Sequence, residues 1–307
     1  MKLFAKCGIV ALASLGLWAA STAKALDNIP DSAKTSGFAV GCQAYSYSQG
    51  FTLFEAIKLT HEAGGKVIEL FPGQTLKPGS KTKLDHHVSD DVIAEVKAEC
   101  AKNDILPVNY GVVGPSGRTA EDRKQDWRKI FEFAKKMDLY GVTSEPAASD
   151  MDEIEKLVKE FDVRFCIHDH PKRDNDPSYK FWDPNYVLSL VKDRDPRMGA
   201  CADTGHWLTS GVDPIEALHI LKGRVMSSHL KDRNQKGPVH HDVAWGKGVG
   251  EVKEVLDELK AQGFKGNISI EYESDMKPNK DHTAPMSYPE IKESFVYIQH
   301  YGQTASR

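Results

Sequence analysis

An excess of basic residues is missing from this chain. Its 307 residues hold 40 Lys and Arg against 44 Asp and Glu, a formal net charge of −4. That balance offers no positive field for a phosphate backbone, so nucleic acid is not an expected partner. Beyond the N-terminus no apolar run approaches the roughly 18 residues of a membrane span. No glycine-rich phosphate loop follows the first predicted strand, which runs into Gly41-Cys42-Gln43-Ala44-Tyr45-Ser46-Tyr47. An open, doubly wound dinucleotide-binding sheet is therefore disfavoured. No low-complexity linker or domain boundary follows Thr35. Cysteine is scarce, at positions 7, 42, 100, 166 and 201. Cys42, Cys166 and Cys201 fall in predicted strands and Cys100 in a predicted helix, so buried free thiols are expected. In an exported chain a Cys166–Cys201 disulfide is the alternative.

Export is what the N-terminus suggests. Lys2 and Lys6 precede an apolar core from Ile9 to Ala20, too short to span a bilayer, and Ala23-Lys24-Ala25 fits a small-x-small cleavage rule. Residues 1–25 are read as a secretory signal peptide cleaved after Ala25, and 26–307 as a single domain. The expected location is periplasmic or secreted, with no membrane attachment after cleavage.

From Phe38 onward, strand and helix patterns alternate. Strands are predicted at Phe38–Tyr45, Lys66–Phe71, Ile105–Tyr110, Gly141–Ser144, Arg164–His168, Met198–Asp203, Val225–Leu230 and Asn267–Tyr272. Helices are predicted at Thr52–Ala63, Asp90–Cys100, Thr119–Met137, Asp152–Glu160, Asp183–Val191, Asp213–Leu221, Val249–Gln262 and Tyr288–Tyr297. Eight strand–helix pairs of this length suit an α/β fold, a (β/α)8 TIM barrel. Such a barrel collects all strand ends on one rim.

Four of those ends carry metal-type ligands. They are Cys166-Ile167-His168-Asp169-His170, Cys201-Ala202-Asp203-Thr204-Gly205-His206, Ser228-His229-Leu230-Lys231-Asp232 and Ile270-Glu271-Tyr272-Glu273. Far apart in sequence, these residues can converge on one divalent ion. His168 and His170, two apart on a strand, share a side. Glu273 alternates with Glu271 but lies one step beyond, and a surface position is the expectation for it.

These segments, with Val67-Ile68-Glu69-Leu70-Phe71, Gly211-Val212-Asp213-Pro214 and Gly246-Lys247-Gly248, make residues 38–300 resemble the xylose-isomerase-like barrels. The resemblance is closest to the sugar phosphate isomerase/epimerase group, whose wider family includes apurinic-site endonucleases. It implies a divalent metal (Mn, Zn, Co or Mg) held by Asp203, His229 and Glu271. The fourth ligand of the family is normally a glutamate at the end of strand five, where this chain has His168. A symmetric two-glutamate proton shuttle is then unavailable, and two histidines with two carboxylates suit a borderline metal. Glu145, at the end of strand four, is the candidate replacement carboxylate. Glu145, Glu271 and His170 are the candidate catalytic groups.

Around them, Glu69, His206, Trp207, Lys231 and His240 are the candidate substrate contacts. In the family the His206 position touches substrate or a second metal. His241 and Asp242 accompany His240 before the Gly246-Lys247-Gly248 loop. Tyr45, Phe71, Trp182, Trp207 and Trp245 are candidate walls for a sugar ring.

The resemblance implies an isomerase or epimerase that removes a proton beside a carbonyl through a metal-stabilised enediolate. Export disfavours phosphorylated metabolites, so a small neutral sugar or keto-sugar is the expected carbohydrate substrate. The His168 change makes a lyase or hydratase acting on a keto-glycoside the alternative. A non-catalytic sugar- or metal-binding protein is the alternative of another class. The oligomeric state is left open.

Overall fold

The computed structural model describes residues 29–303. The signal peptide read over 1–25 lies outside the described residues.

Eight parallel strands close a barrel. They are β1 (Ala39–Gln43), β2 (Val67–Leu70), β3 (Leu106–Tyr110), β4 (Gly141–Ser144), β5 (Arg164–His168), β6 (Met198–Asp203), β7 (Val225–Leu230) and, after a two-stranded ribbon of β8 (Asp232–Arg233) and β9 (Asp242–Val243), β10 (Asn267–Ile270). Around the barrel the order is β1-β10-β7-β6-β5-β4-β3-β2, with β1 closing on β10 through Ala39↔Asn267 to Cys42↔Ile270. The helices are α1 (Leu53–Ala63), α2 (Asp90–Lys102), α3 (Ala120–Lys136), α4 (Met151–Phe161), α5 (Pro184–Val191), α6 (Thr204–Ser210), α7 (Pro214–Ile220), α8 (Val252–Ala261) and α9 (Tyr288–His300). None of the described helices is long and apolar enough to cross a membrane.

Local chemistry sets the helix starts. Thr52 with Glu55 and Thr119 with Asp122 form reciprocal capping boxes on α1 and α3, Ser89 caps α2, and Asp213 caps α7 with Pro214 in its first turn. Each such cap contributes about 1 kcal/mol. The inner face of α3 buries Trp127, Ile130, Phe131 and Ala134 against the barrel, at the spacing a 3.6-residue repeat requires. The four cysteines of the described residues are buried free thiols. No Cys166–Cys201 disulfide forms, and burial pushes the Cys42, Cys100 and Cys166 thiols up to about 12.

Two sequence features are structural devices beneath the rim. The amides of Gly246, Gly248 and Gly250 all donate to the Asp232 carboxylate, so this glycine loop wraps one buried acid. A Cβ at Gly248 would lie 2.3 Å from Asp232 Oδ1. At Gly205 a Cβ would lie 2.6 Å from Arg233 Nε and 2.7 Å from Lys231 Cβ. Only glycine lets α6 start this close to β7 and β8.

Candidate metal centre

The four strands that carry the ligand candidates are contiguous in the barrel: β5, β6, β7, β10. His168 ends β5, Asp203 ends β6, His229 is the next-to-last residue of β7, and Glu271 follows β10 directly. A register shift in β6 between Ala200 and Cys201 sets Asp203 opposite His229. One ligand atom from each of the four residues lies within 4.8 Å of the others. His229 Nδ1 is 3.1 Å from Glu271 Oε2 and 3.8 Å from Asp203 Oδ2, and His168 Nε2 is 3.5 Å from Asp203 Oδ2.

Among the described residues, neither ring nitrogen of His168 nor Nδ1 of His229 makes an aligned hydrogen bond, although all three are buried beside carboxylate oxygens. Buried polar atoms without partners are costly and mark a missing group. Two imidazole nitrogens and two carboxylates form a donor set that fits a borderline divalent cation. The residues present therefore fit the ion that the resemblance implies.

Each histidine is braced by a carboxylate from outside the ligand set. Glu69 Oε2 accepts from His229 Nε2 at 3.0 Å and from Ser269 Oγ at 2.8 Å. That turns Nδ1 toward the cluster. Burial opposes charge on Glu69, but His229 and Ser269 hold its carboxyl below the usual range. At 0% exposed, the Glu69 carboxylate is engaged by His229 and Ser269 rather than offered as the substrate contact expected from sequence. On the other side Glu145 Oε1 lies 3.5 Å from His168 Nδ1. The same oxygen accepts from His170 Nδ1 and Tyr179 Oη, each at 2.6 Å, and from the His170 amide at 3.1 Å. Burial resists ionisation of Glu145, yet His168 and His170 hold it ionised well below the usual range. With Oε1 directed at His168, His170 and Tyr179, Glu145 stands behind the two histidines. Carboxylate–histidine pairs of this kind orient metal ligands.

Lys231 is fully buried at the centre. Its Nζ lies 2.6 Å from Asp203 Oδ2, 2.8 Å from Glu271 Oε2 and 3.3 Å from Glu273 Oε2. Burial disfavours the ammonium, but these carboxylates keep it charged, its pKa well above the ordinary value. In return Lys231 and His229, against the cost of burial, hold the Glu271 carboxyl at about 2. The Lys231 ammonium is saturated by protein carboxylates; binding substrate requires it to exchange one of them.

His206 Nδ1 donates to the Asp169 carbonyl at 2.7 Å, and Nε2 lies 3.2 Å from both Lys231 Nζ and Glu273 Oε2. Burial holds His206 below the usual histidine range, hence neutral. Its ring stacks on that of His170 at 5.2 Å. The His170 side chain is 41% exposed, with Nδ1 held by Glu145. Nε2 is the nitrogen left to exchange a proton.

Several expectations change. Glu273 is drawn inward: its Oε2 lies 2.9 Å from Arg233 Nη2 and 3.2 Å from His206 Nε2. Strand alternation ends with β10 at Ile270, and the chain then turns where the amides of Glu273 and Ser274 donate to Asp242. Asp242 is thus an anchor, and His241 is exposed. His240 accepts from Arg233 Nη1, and Arg233 Nη2 in turn donates to Glu273. Trp207, 1% exposed, and Trp245, 3% exposed, belong to the hydrophobic core, so neither offers a ring face to a sugar. Tyr45 and Phe71 pack edge to face at 4.9 Å and, like Trp182, are only partly buried. Asp169, Tyr179 and Arg233 were not singled out by sequence. Asp169 Oδ1 accepts from the Asp203 amide at 2.9 Å and fixes that candidate ligand's backbone.

The family of xylose isomerase-like TIM barrels matches residues 57–288. An uncharacterized protein from Parabacteroides distasonis of known structure is 34% identical, with 85% of this chain and 97% of that one covered at a TM-score of 0.64. D-psicose 3-epimerase from Clostridium cellulolyticum H10 is 14% identical over 85% of this chain and 98% of its own, at a TM-score of 0.61, a likeness of fold. An uncharacterized protein of Methanocaldococcus jannaschii is 29% identical over 126 residues, which are 40% of this chain and 41% of that protein. The chain spans less than half the length of that curated relative. With its closed eight-stranded barrel and its matched span, the chain belongs to the xylose isomerase-like TIM barrel family.

Proposed function

We propose that this protein is a divalent-metal-dependent enzyme that abstracts a proton beside a carbonyl of a neutral sugar or keto-sugar, as an isomerase or epimerase. The observation that carries the reading is the convergence of His168, Asp203, His229 and Glu271, with both histidines braced by carboxylates. These four residues would hold the ion. When bound, a divalent ion supplies Lewis-acid polarisation of a carbonyl or hydroxyl oxygen. The remaining work falls to side chains. His170, oriented by Glu145 and stacked on His206, is placed to take or return a proton through Nε2. Glu273, its side chain 31% exposed and backed by Lys231 and Arg233, is placed to meet sugar hydroxyls. Partly exposed Tyr45 and Phe71 are placed to pack on apolar C–H faces.

One observation favours a second reading. With His168 replacing a carboxylate and Glu145 tied to two histidines and Tyr179, proton transfer is one-sided. That geometry suits β-elimination from a keto-glycoside, a lyase or hydratase reaction.

The test is incubation with neutral sugars and keto-glycosides in deuterated water with manganese, zinc or cobalt. Deuterium at a carbon next to the carbonyl with the aglycone retained supports isomerisation or epimerisation. Aglycone release supports elimination. Metal binding without exchange on any sugar would leave a binding protein and refute both enzymatic readings. We further propose export through residues 1–25. N-terminal sequencing of the protein from the extracytoplasmic fraction should begin at Leu26, and retention of Met1 in that fraction would contradict cleavage.

A further inference from the structure

A second group of metal-type side chains lies on the rim over β2 and β3. His86 and His87 come from the β2–α2 loop, and Asp126 from the second turn of α3. One donor atom from each lies within 4.8 Å of the others. His86 Nε2 is 3.1 Å from Asp126 Oδ2, and His87 Nε2 is 2.8 Å from Asp126 Oδ1. The two rings lie 4.2 Å apart, tilted by 41°, each with a nitrogen aimed at the same carboxylate.

Hydrogen bonding alone satisfies this group poorly. Asp126 Oδ2 already accepts from the Ser116 amide at 2.7 Å and from Ser116 Oγ at 2.9 Å. His86 would be a third donor to an oxygen with two lone pairs.

We propose that His86, His87 and Asp126 form a second divalent transition-metal site, with water completing the coordination. Two imidazoles and a carboxylate suit zinc, cobalt or nickel. Metal–ligand bonds of about 2.0–2.2 Å at tetrahedral angles separate ligand atoms by about 3.3 Å. The two histidine–carboxylate spacings, 3.1 Å to Oδ2 and 2.8 Å to Oδ1, are shorter than that, and all three donor atoms lie within 4.8 Å of one another. The surroundings resemble the support behind the first site. Ser116 fixes Asp126, and Asp85 Oδ1 lies 3.6 Å from His87 Nδ1, behind the ligating nitrogen. The His86 and Asp126 side chains are 7% and 6% exposed, whereas His87 is 42% exposed and gives a hydrated ion its way in. An ion here would clip the β2–α2 loop to α3.

The experiment is zinc content after saturation and gel filtration, read on the full chain and on two variants. Two equivalents are expected in the unaltered protein, one in His87→Ala and one in His229→Ala. In the His229→Ala background, zinc should raise the melting temperature, and adding His87→Ala should abolish that rise. One equivalent in the unaltered protein that survives His87→Ala overturns the proposal and leaves a hydrogen-bonded hub on Asp126. Two equivalents in His87→Ala overturn it as well. One equivalent that is lost in His87→Ala but kept in His229→Ala supports this site and instead refutes the metal centre on β5, β6, β7 and β10.

Discussion

Glu271→Gln is expected to lower turnover by about 10²- to 10⁴-fold, the range for loss of a group acting on a transferred proton or its charge, while the barrel stays folded. Glu271 Oε2 sits between His229 Nδ1 at 3.1 Å and Lys231 Nζ at 2.8 Å. Its carboxyl, at about 2, is fully ionised at neutral pH. The amide keeps the volume but removes one of the two anionic ligands. Lys231 retains Asp203 at 2.6 Å and Glu273 at 3.3 Å, so its buried charge still has partners. Steady-state turnover on whichever sugar exchanges deuterium, with circular dichroism as the control for folding, reads the effect. Undiminished turnover would remove Glu271 from the chemistry.

Glu69→Ala should act through a residue that touches no ligand. Its carboxylate is buried under His229 and accepts from both that ring and Ser269. Removing it frees the imidazole to rotate, which should weaken metal binding by about 10- to 100-fold. It also leaves His229 Nε2 without its buried acceptor, at about 3–5 kcal/mol of stability for breaking a buried pair. Glu69→Gln keeps an acceptor and the volume, so it should fall between the two. Metal titration monitored by calorimetry, alongside thermal melts, separates affinity from stability. Full affinity in Glu69→Ala would show that His229 is oriented by something else.

Much of the barrel was legible because its strands are short apolar runs closed by charged residues. β4, β5, β6 and β7 have the ranges predicted from sequence. The four ligand candidates were legible for the same reason: each ends such a run on strands that the topology makes neighbours. Helix α6 was not legible. Thr204–Ser210 is a seven-residue helix that begins at the Asp203 cap and contains Gly205 and two threonines, so local propensity argues against it. β1 stops at Gln43 because that side chain accepts from the Tyr45 amide and turns the chain into a 3-10 turn. Glu273 shares the side of Glu271, as alternation suggests, but was expected at the surface because its ties to Lys231, Arg233 and His206 come from distant segments. The burial of Glu69 and the ties of Glu145 to Tyr179 depend on contacts between distant segments, which no local pattern reports. Trp207 follows the His206 ligand region in sequence, but α6 turns its ring into the core.

One cation is expected among the ends of β5, β6, β7 and β10. A crystal structure of the manganese- or zinc-saturated protein, with anomalous data at the metal edge, tests it most directly. The expected result is a peak within bonding distance of His168 Nε2, an Asp203 oxygen, His229 Nδ1 and a Glu271 oxygen, with Lys231 displaced from at least one carboxylate. A saturated crystal with no density among these four side chains, and with Lys231 still bridging Asp203 and Glu271, would contradict it.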